Sequence, residues 1–252
     1  MKRLAALLLC LALTVDRTGA AEPLVIATDG YRPVAWLENG QPAGALCEAL
    51  AEAGRRAGIP VEFRFLPWAR SMQETRMGRI DAIFPVFRTS KRETYLAFPE
   101  EVLLDERMAW FVKVDSTIAF DGDLAKLTGR RIGIINQSSY GPRLDTALRD
   151  GTLPAPQTVT DTTGGVRILL AGRVDLVPGF DQGIWAEARG LGLDTRIREL
   201  TPAVEDVPAF LAFTRARDMG AESQAIDAAL RAMKEDGTYQ KILARYFVTK
   251  TQ

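Results

Sequence analysis

The sequence predicts an α/β protein built from two similar halves, and three observations carry that prediction. From Leu24 onward, short apolar or alternating segments exchange regularly with helix-patterned segments, which favours a largely parallel sheet covered by helices. A short motif around Gly78 returns around Gly172, 94 positions further along the chain. With 252 residues, 47% hydrophobic and 25% charged, the composition suits one large globular domain or two of about 100 residues each.

Each element is predicted from its residue pattern. Strands are runs of four to six apolar or alternating residues, and helices show apolar spacing of three to four and end near a glycine. The predicted strands are 24–28, 61–66, 80–84, 131–135, 157–160, 174–177 and 209–214. The predicted helices are 44–57, 68–77, 138–149, 163–171, 221–235 and 239–246.

The repeated motif is the strongest internal signal. Residues 77–85 read Met-Gly-Arg-Ile-Asp-Ala-Ile-Phe-Pro, and residues 171–178 read Ala-Gly-Arg-Val-Asp-Leu-Val-Pro. In both copies we expect a helix to end at the glycine and an apolar strand to run as far as the proline, which cannot continue a hydrogen-bond ladder. A period of 94 is too long for a solenoid, so the repeat indicates a pair of lobes.

The charge balance excludes several classes of protein. The chain has 32 basic and 32 acidic residues and no histidine. A neutral chain lacks the excess of lysine and arginine that marks a nucleic-acid binder. Without histidine there is no Ser-His-Asp triad, no Cys-His pair and no HExxH zinc site. We expect no metal and no cofactor.

The first residues have the three parts of a secretory signal. Lys2 and Arg3 precede an apolar run from Leu4 to Val15, and small residues follow it. The run is shorter than the roughly 20 apolar residues that span a bilayer, and the remaining alternative is a buried N-terminal helix. We expect residues 1–21 to be removed and the protein to reach the periplasm with a net charge of −2.

The two cysteines fall on either side of the predicted cleavage. Cys10 belongs to the signal, so Cys47 is left alone and no internal disulfide is expected in the exported chain. Cys47 lies in an apolar-patterned segment, which predicts a buried, unreactive thiol.

Seven segments together resemble one family of binding proteins. They are, in chain order, Thr28-Asp29-Gly30-Tyr31-Arg32-Pro33, Asn39-Gly40-Gln41-Pro42-Ala43-Gly44, Gly78-Arg79-Ile80-Asp81-Ala82-Ile83, Thr89-Ser90-Lys91-Arg92 with Phe98-Pro99, Leu127-Thr128-Gly129-Arg130-Arg131-Ile132-Gly133-Ile134, Gly172-Arg173-Val174-Asp175, and Glu235-Asp236-Gly237-Thr238-Tyr239. In order and spacing the chain from Leu24 to Tyr246 resembles the extracytoplasmic solute-binding proteins of family 3, the polar amino acid class that serves ABC transporters.

The resemblance implies a two-lobed periplasmic-binding-protein fold of type II, with the ligand cleft between the lobes. It places residues 22–112 and 208–252 in lobe 1 and residues 113–207 in lobe 2. It also implies hinge closure around a small solute. The expected partner, an inner-membrane ABC permease or a membrane sensor, distinguishes the closed form, and the protein is expected to act as a monomer.

The first candidate ligand residue is Arg92, because in the family the arginine of this Thr-x-x-Arg motif holds the ligand's carboxylate. A guanidinium matches a carboxylate with two parallel hydrogen bonds. Thr89 is a plausible N-cap, so a helix N-terminus is also expected at the site; the alternative is a surface cap with a solvated arginine. Phe87 stands shortly before the motif, where relatives commonly offer hydroxyls, and this departure puts a standard α-amino acid ligand in question.

Two further polar groups are expected in lobe 2. The resemblance implies that Asp181 binds the ligand's ammonium group. Asp181 is equally interpreted as the N-cap of a helix that begins near Gln182. Ser138 and Ser139 follow a predicted strand and precede a helix, at the usual ligand crevice of an α/β sheet. They are therefore candidates for ligand contact, for helix capping, or for both.

Aromatic and charged residues of lobe 1 complete the candidate site. Tyr31, Trp36 and Trp68 are candidate walls around an apolar part of the ligand. Arg70 adds possible positive charge to the cleft, and Asp29, after the first strand, is included among the ligand contacts.

Three functions remain open on this sequence. The first is a receptor that captures an amino acid or related carboxylate without chemistry. The second is a periplasmic enzyme of the same fold that dehydrates cyclic carboxylates such as prephenate, for which Asp181, Asp29 and Glu48 are the candidate general acids. The third is a stand-alone sensor module that presents its closed form to a membrane receptor.

Overall fold

The computed structural model describes residues 22–247, so the predicted signal, residues 1–21 with Cys10, lies outside the described residues. The strands are β1 (Leu24–Thr28), β2 (Trp36–Glu38), β3 (Gln41–Ala43), β4 (Val61–Phe65), β5 (Ala82–Phe87), β6 (Leu96–Ala97), β7 (Val102–Lys113), β8 (Gly133–Ile135), β9 (Gln157–Val159), β10 (Val177–Phe180), β11 (Ile197–Glu199) and β12 (Glu205–Thr214). The helices are α1 (Ala45–Ala57), α2 (Trp68–Arg76), α3 (Ser90–Glu93), α4 (Pro142–Arg149), α5 (Thr162–Leu170), α6 (Asp181–Gly190), α7 (Gly220–Glu235) and α8 (Thr238–Ala244).

Helix α1 shows how the apolar pattern builds the core of lobe 1. Its apolar positions recur every three to four residues, and Leu46, Ala49, Leu50 and Ala53 are all fully buried. This face packs with α7 and α8 against the sheet. The helix ends at Gly58, whose φ of +70° is the left-handed conformation that glycine adopts without strain. Cys47 lies on the buried side of α1, as predicted, and burial raises its pKa to about 12.

Strands β7 and β12 join the two lobes. β12 is antiparallel to β5 on one side and to the first half of β7, Val102–Met108, on the other. From Met108 onward β7 pairs instead with β10 and β11. One strand therefore contributes to the sheet of both lobes, and the molecule is two-lobed with its lobes linked by this crossing pair.

The expectation of a largely parallel sheet is only partly met. β1 is parallel to β4 and β5, and β8 is parallel to β9, as predicted. The pairings of β7 and β12 are antiparallel, because these strands carry the chain out of lobe 1 and back again. β7 is also an element that the pattern did not predict. The charged residues Asp105, Glu106 and Arg107 interrupt its apolar run.

The repeated motif has the same structural role in each lobe. Gly78 and Gly172 follow their helices with φ of +72° and +68°, as expected for helix ends. Asp81 then accepts a hydrogen bond of 2.7 Å from a backbone N–H of β1. Asp175 accepts one of 2.9 Å from the N–H two residues before β8. Each aspartate ties the end of a helix to the neighbouring strand of its own lobe.

The prediction that strands stop at the two prolines is wrong. β5 runs through Pro85, and β10 runs through Pro178. Opposite Pro85 the register of β12 shifts between Phe210 and Ala212, so a bulge accommodates the missing N–H. β10 lies at the end of the main strand order, where proline is tolerated.

No helix among residues 22–247 combines the length and the apolar character that crossing a membrane requires.

Candidate functional site

A cavity of about 50 Å³, here called the inner cavity, lies between the lobes where several strands end. Asp29 follows β1 and Phe87 ends β5 in lobe 1, while Ile135 ends β8 and Phe180 ends β10 in lobe 2. This is the carboxyl-end crevice at which α/β sheets bind ligands. The wall consists of Asp29, Tyr31, Trp68, Pro85, Phe87, Arg92, Glu106, Ile135, Ser138, Ser139, Tyr140, Thr162, Pro178, Gly179, Phe180, Gly183 and Ile184.

A larger groove of about 1140 Å³, here called the outer groove, opens beside the inner cavity. Both are lined by Phe87, Arg92, Ser138 and Ser139, so these residues stand between the inner cavity and the surface. The other residues that line the groove are Met72, Gln73, Arg76, Met77, Arg88, Thr89, Ser90, Lys91, Glu93, Tyr95, Gln137, Gly141, Pro142, Asp145, Thr146, Arg149 and Val207.

The short helix α3 positions Arg92. Thr89 is its N-cap, as predicted, because the Thr89 hydroxyl accepts a hydrogen bond of 3.2 Å from the Arg92 backbone N–H. The Arg92 side chain then turns inward and is only 6% exposed. The alternative of a solvated arginine is therefore wrong. Arg88 lies on the surface instead, where it bonds to the backbone oxygens of Phe98 and Pro99.

The Arg92 guanidinium is buried with little to neutralise it. Its Nη1 donates to the Phe87 carbonyl oxygen at 3.0 Å, and its Cζ lies 5.3 Å from the centre of the Trp68 ring. In residues 22–247 no carboxylate forms an ion pair with it. Burial lowers the pKa of Arg92, and interactions with Tyr95 and Asp145 only partly oppose that effect. A guanidinium has five N–H donors, so most remain for a ligand.

Two carboxyl groups, those of Asp29 and Glu106, also line the inner cavity. Burial raises the pKa of Asp29 to about 6, against the opposing effect of backbone N–H groups at Asp29 and Gly30. Burial raises the pKa of Glu106 to about 8, although a hydrogen bond from Tyr31 opposes the shift. The Tyr31 hydroxyl donates to Oε1 of Glu106. Burial and the nearby Glu106 in turn raise the pKa of Tyr31 well above its ordinary value.

Glu106 is a residue that the sequence analysis missed. It comes from β7, the strand that joins the lobes, and is 4% exposed. Its Oε2 is buried and has no hydrogen-bond partner among the described residues. The available signal was an acidic residue inside an otherwise apolar run, which is rarely fully buried without a function or a partner.

Aromatic contacts close the inner cavity across the two lobes. The Tyr31 ring of lobe 1 stacks on the Phe180 ring of lobe 2 with centroids 5.8 Å apart. Phe87 meets Phe180 edge to face at 5.3 Å. Trp68 donates its Nε1–H to the Gln137 carbonyl oxygen at 3.1 Å, which adds a polar contact between the lobes. The two lobes are therefore in direct contact around the inner cavity.

The serines of lobe 2 line the inner cavity but do not cap a helix. α4 begins at Pro142, later than predicted, with Gly141 at the N-cap position and no side-chain cap. Ser139 instead donates its hydroxyl to Asp145. The interpretation of Ser138 or Ser139 as an N-cap is therefore wrong, because a proline at the first helical position moves the helix start past both.

The structure does not bring Asp181 or Arg70 to the inner cavity. Asp181 is the first residue of α6, and its Oδ2 pairs with Nη1 of Arg107 at 3.1 Å while Oδ1 accepts from the next backbone N–H. Arg107 also bonds to Glu199. The carboxylate of Asp181 is thus neutralised within the protein. Arg70 lies on the exposed side of α2 and lines neither the inner cavity nor the outer groove.

Two other candidates lie away from the cavity. Trp36 packs edge to face on Tyr246 and lies under the guanidinium of Arg32. Glu48, a candidate general acid, is on α1 and bonds to Arg245 and Tyr246.

Seven of the ten residues chosen from the sequence meet at the inner cavity. They are Asp29, Tyr31, Trp68, Phe87, Arg92, Ser138 and Ser139. Thr89 lies beside them on the outer groove. Because its wall contains a buried cation, two carboxyl groups and aromatic rings, the inner cavity can hold a small molecule that has both charged and apolar parts. Residues 22–247 contain no cluster of three or more histidine, cysteine or acidic side chains suited to a metal ion.

The fold is similar to that of many solved structures. A histidine kinase sensor domain described as similar to periplasmic binding proteins has a TM-score of 0.79 and 21% identity, with 90% of this chain and 97% of that chain covered. The arginine-, lysine-, histidine-binding protein ArtJ from Geobacillus stearothermophilus has a TM-score of 0.76 and 17% identity, covering 90% and 95%. An ancestral arginine-binding protein bound to arginine has a TM-score of 0.77 and 21% identity, covering 91% and 100%.

Among curated proteins no match was found. At these identities the solved structures establish the fold alone, and the family rests on the sequence. The match spans both lobes and both crossing strands, from the start of β1 to beyond α8. Residues 24–249 match the bacterial extracellular solute-binding proteins, family 3, and the chain belongs to that family.

Proposed function

We propose that the chain is a periplasmic substrate-binding protein that captures a small polar solute, an amino acid or a related carboxylate, for an inner-membrane ABC importer. The observation that carries the proposal is Arg92, a buried guanidinium that lines the inner cavity and is paired with no carboxylate of the described residues. A buried unpaired charge destabilises a fold unless a partner arrives. A ligand carboxylate is the partner that matches the guanidinium geometry.

The lobes and their linkage support a capture mechanism. The change of partners along β7 at Met108 agrees with the proposed division into residues 22–112 with 208–252 and residues 113–207. Rotation about the crossing strands would separate Tyr31 from Phe180 and Trp68 from Gln137, and so open the inner cavity. Ligand binding would then favour the closed form, which a permease distinguishes from the open one. In this proposal the protein acts as an exported monomer and performs no chemistry.

A thermal-shift panel of amino acids and related carboxylates at pH 7 tests this function. A ligand that binds only the native state stabilises it by about 2.7 kcal/mol at 100 times its Kd. We expect one or more compounds to raise the Tm of the wild type, and Arg92→Ala to abolish that rise. Arg70→Ala removes an exposed arginine that lines neither cavity nor groove, so it is the matched control and should keep the response. Normal ligand affinity in Arg92→Ala would remove the assignment.

A sensor role is the second candidate, and the similarity to a histidine kinase sensor domain favours it. It differs from transport in the partner and not in the ligand. Capture of the closed, ligand-loaded protein by a purified membrane kinase, with no uptake defect in a strain that lacks this protein, would favour sensing. The enzyme alternative is tested separately by incubation with prephenate, and absence of turnover would leave binding as the activity.

A further inference from the structure

We propose that Glu106 receives a cationic nitrogen of the ligand, so that the ligand is a carboxylate that also carries a protonated amine. This inference rests on the proposed function, in which Arg92 holds the carboxylate, and it specifies the class of substrate. It also assigns a role to a residue on the strand that joins the lobes. The role of Glu106 follows in three steps from its free oxygen, the ion pair of Asp181 and the proton balance of the cavity.

The first step is the geometry of Glu106. Its Oε1 accepts the Tyr31 hydroxyl, which holds the carboxyl group in place, and its Oε2 is buried without a partner. Glu106 lines the inner cavity together with Arg92. Leaving a buried carboxyl oxygen unpaired costs free energy, and an N–H donor from a ligand would recover it. Asp29 lines the same cavity, so two acidic groups favour a cation there.

The second step concerns the acid that the family resemblance assigns to an ammonium group. Asp181 is 7% exposed and pairs with Arg107, so its charge is already neutralised. Arg107 pairs with Glu199 as well, which fixes the guanidinium between two carboxylates. Glu106 is the neighbour of Arg107 on β7 and faces the cavity. It thus offers the acceptor that Asp181 does not.

The third step is the proton balance. The titratable groups that act on Glu106 are Asp29 and Tyr31, which follow β1, and Asp181 from α6. Arg92 and Tyr140 also line the inner cavity, and on β12 the residue paired with Glu106 is the apolar Val207. Burial raises the pKa of Glu106 to about 8, and the charge of Asp29 adds to the shift, so at pH 7 the group is mostly protonated without a ligand. A bound ammonium favours the carboxylate. Binding therefore transfers the proton of Glu106 to solvent.

Two measurable consequences follow from that transfer. Binding of an amine-bearing carboxylate at pH 7 should release about one proton per ligand. Affinity should rise with pH between about 6 and 8, because deprotonation of Glu106 accompanies binding, and it should level off above the pKa of the ligand-free group.

The experiment uses matched pairs of probes that differ only in the amine: L-alanine and propionate, L-glutamate and glutarate, and L-phenylalanine and 3-phenylpropionate. Each is titrated by calorimetry into the exported chain in phosphate and in Tris, whose different ionisation enthalpies reveal the number of protons released. We expect at least one amino acid to bind, its deaminated partner to bind at least about tenfold more weakly, and about one proton to be released.

Two variants accompany these titrations. Glu106→Gln keeps the shape of the side chain and should weaken binding of that amino acid about tenfold or more, with no proton released. Glu48→Gln alters a glutamate on α1 outside the cavity and should change neither quantity. The proton count of the wild type does not depend on whether Glu106→Gln folds.

The outcomes separate this inference from the proposed function. Equal binding of a deaminated carboxylate, or unchanged affinity and proton release in Glu106→Gln, would overturn the role of Glu106 and leave carboxylate capture by Arg92 standing. Amine-dependent binding that persists in Arg92→Ala would instead overturn the proposed function while supporting Glu106. Absence of binding by every probe would count against both.

Discussion

Two arginines lie where the lobes meet, and they differ in their partners within the protein. Arg107, on the crossing strand β7, has ion pairs with Asp181 and Glu199. Arg92, at the inner cavity, is more deeply buried and has a backbone carbonyl oxygen as its hydrogen-bond acceptor among the described residues. The guanidinium of Arg107 is paired with carboxylates of the protein, and that of Arg92 is available to a ligand.

The difference separates structural charge from functional charge. Replacing a buried ion pair by apolar groups is often neutral for stability, while removing one partner leaves an uncompensated charge and is destabilising. Removal of Arg107 is of the destabilising kind, because it leaves two carboxylates without their cationic partner. Removal of Arg92 leaves no carboxylate unpaired, so without a ligand it should not destabilise the protein in this way. Substitution at the two positions should therefore affect different quantities.

The largest expected effect is on binding at Arg92. Arg92→Met keeps an unbranched side chain but removes the carboxylate partner, so affinity for any ligand found in the panel should fall at least about 100-fold. The free energy of unfolding should stay the same or rise by about 1 kcal/mol, because a desolvated charge is removed. Calorimetric titration and urea unfolding measure the two quantities. A large loss of stability with retained affinity would show that Arg92 has a structural role, as Arg107 does.

The next effect is on stability at Arg107. Arg107→Met leaves the side chains of Asp181 and Glu199, which are 10% and 11% exposed, without their shared cation. We expect a loss of about 2 kcal/mol in the free energy of unfolding, less than for a fully buried pair because Arg107 itself is partly exposed. Affinity should change by no more than about threefold. Loss of binding with unchanged stability would show that Arg107 contacts the ligand.

The third effect is the pH dependence of stability of the ligand-free protein. The folded pKa of Glu106, about 8, is above its ordinary value of 4.5, so its contribution is fully present below about pH 4.5 and is lost as the pH rises through 8. Between pH 6 and 8 the wild type should lose about 2 kcal/mol relative to Glu106→Gln. Urea unfolding of both proteins at several pH values measures this. If the free energies of unfolding of the two proteins changed with pH in parallel, the raised pKa of Glu106 would be contradicted.

The smallest effect concerns the contact between the lobes. Trp68→Phe keeps an aromatic ring but removes the N–H that donates to the Gln137 carbonyl oxygen. One such hydrogen bond contributes about 1 kcal/mol, so ligand affinity should fall about fivefold while the unfolding of each lobe changes little. Small-angle scattering of the ligand-free variant should show a larger radius of gyration. An unchanged radius and affinity would mean that this contact does not hold the lobes together.

Much of the fold could be predicted from local pattern. The amphipathic face of α1 and the left-handed glycines at 58, 78 and 172 are properties of single segments, and the structure has them where the sequence indicates. β7 could not be found in this way, because its charged residues 105–107 interrupt the apolar pattern and its neighbours are three distant strands, β10, β11 and β12. The antiparallel pairings of the crossing strands depend on how the chain returns to lobe 1, which periodicity does not report.

The site could be predicted as far as single residues carried a motif. Arg92 and Thr89 did so, and Asp29 and Tyr31 lay after a recognisable strand. Glu106 did not, because its role depends on a cavity formed by distant parts of the chain. Asp181 was misplaced for the same reason: its pairing with Arg107 spans 74 positions and leaves no trace in the local sequence.

The position of Trp68 has a practical consequence for following the protein in solution. The indole touches the other lobe at Gln137 and lies 5.3 Å from the centre of the charge on Arg92. Of the four tryptophans, Trp110 is fully buried, and Trp36 and Trp185 are away from the inner cavity. Separation of the lobes would expose this one indole to water and shift its emission. Under the proposed capture mechanism, this indole would therefore act as an intrinsic fluorescent reporter of opening and closing, with no label attached.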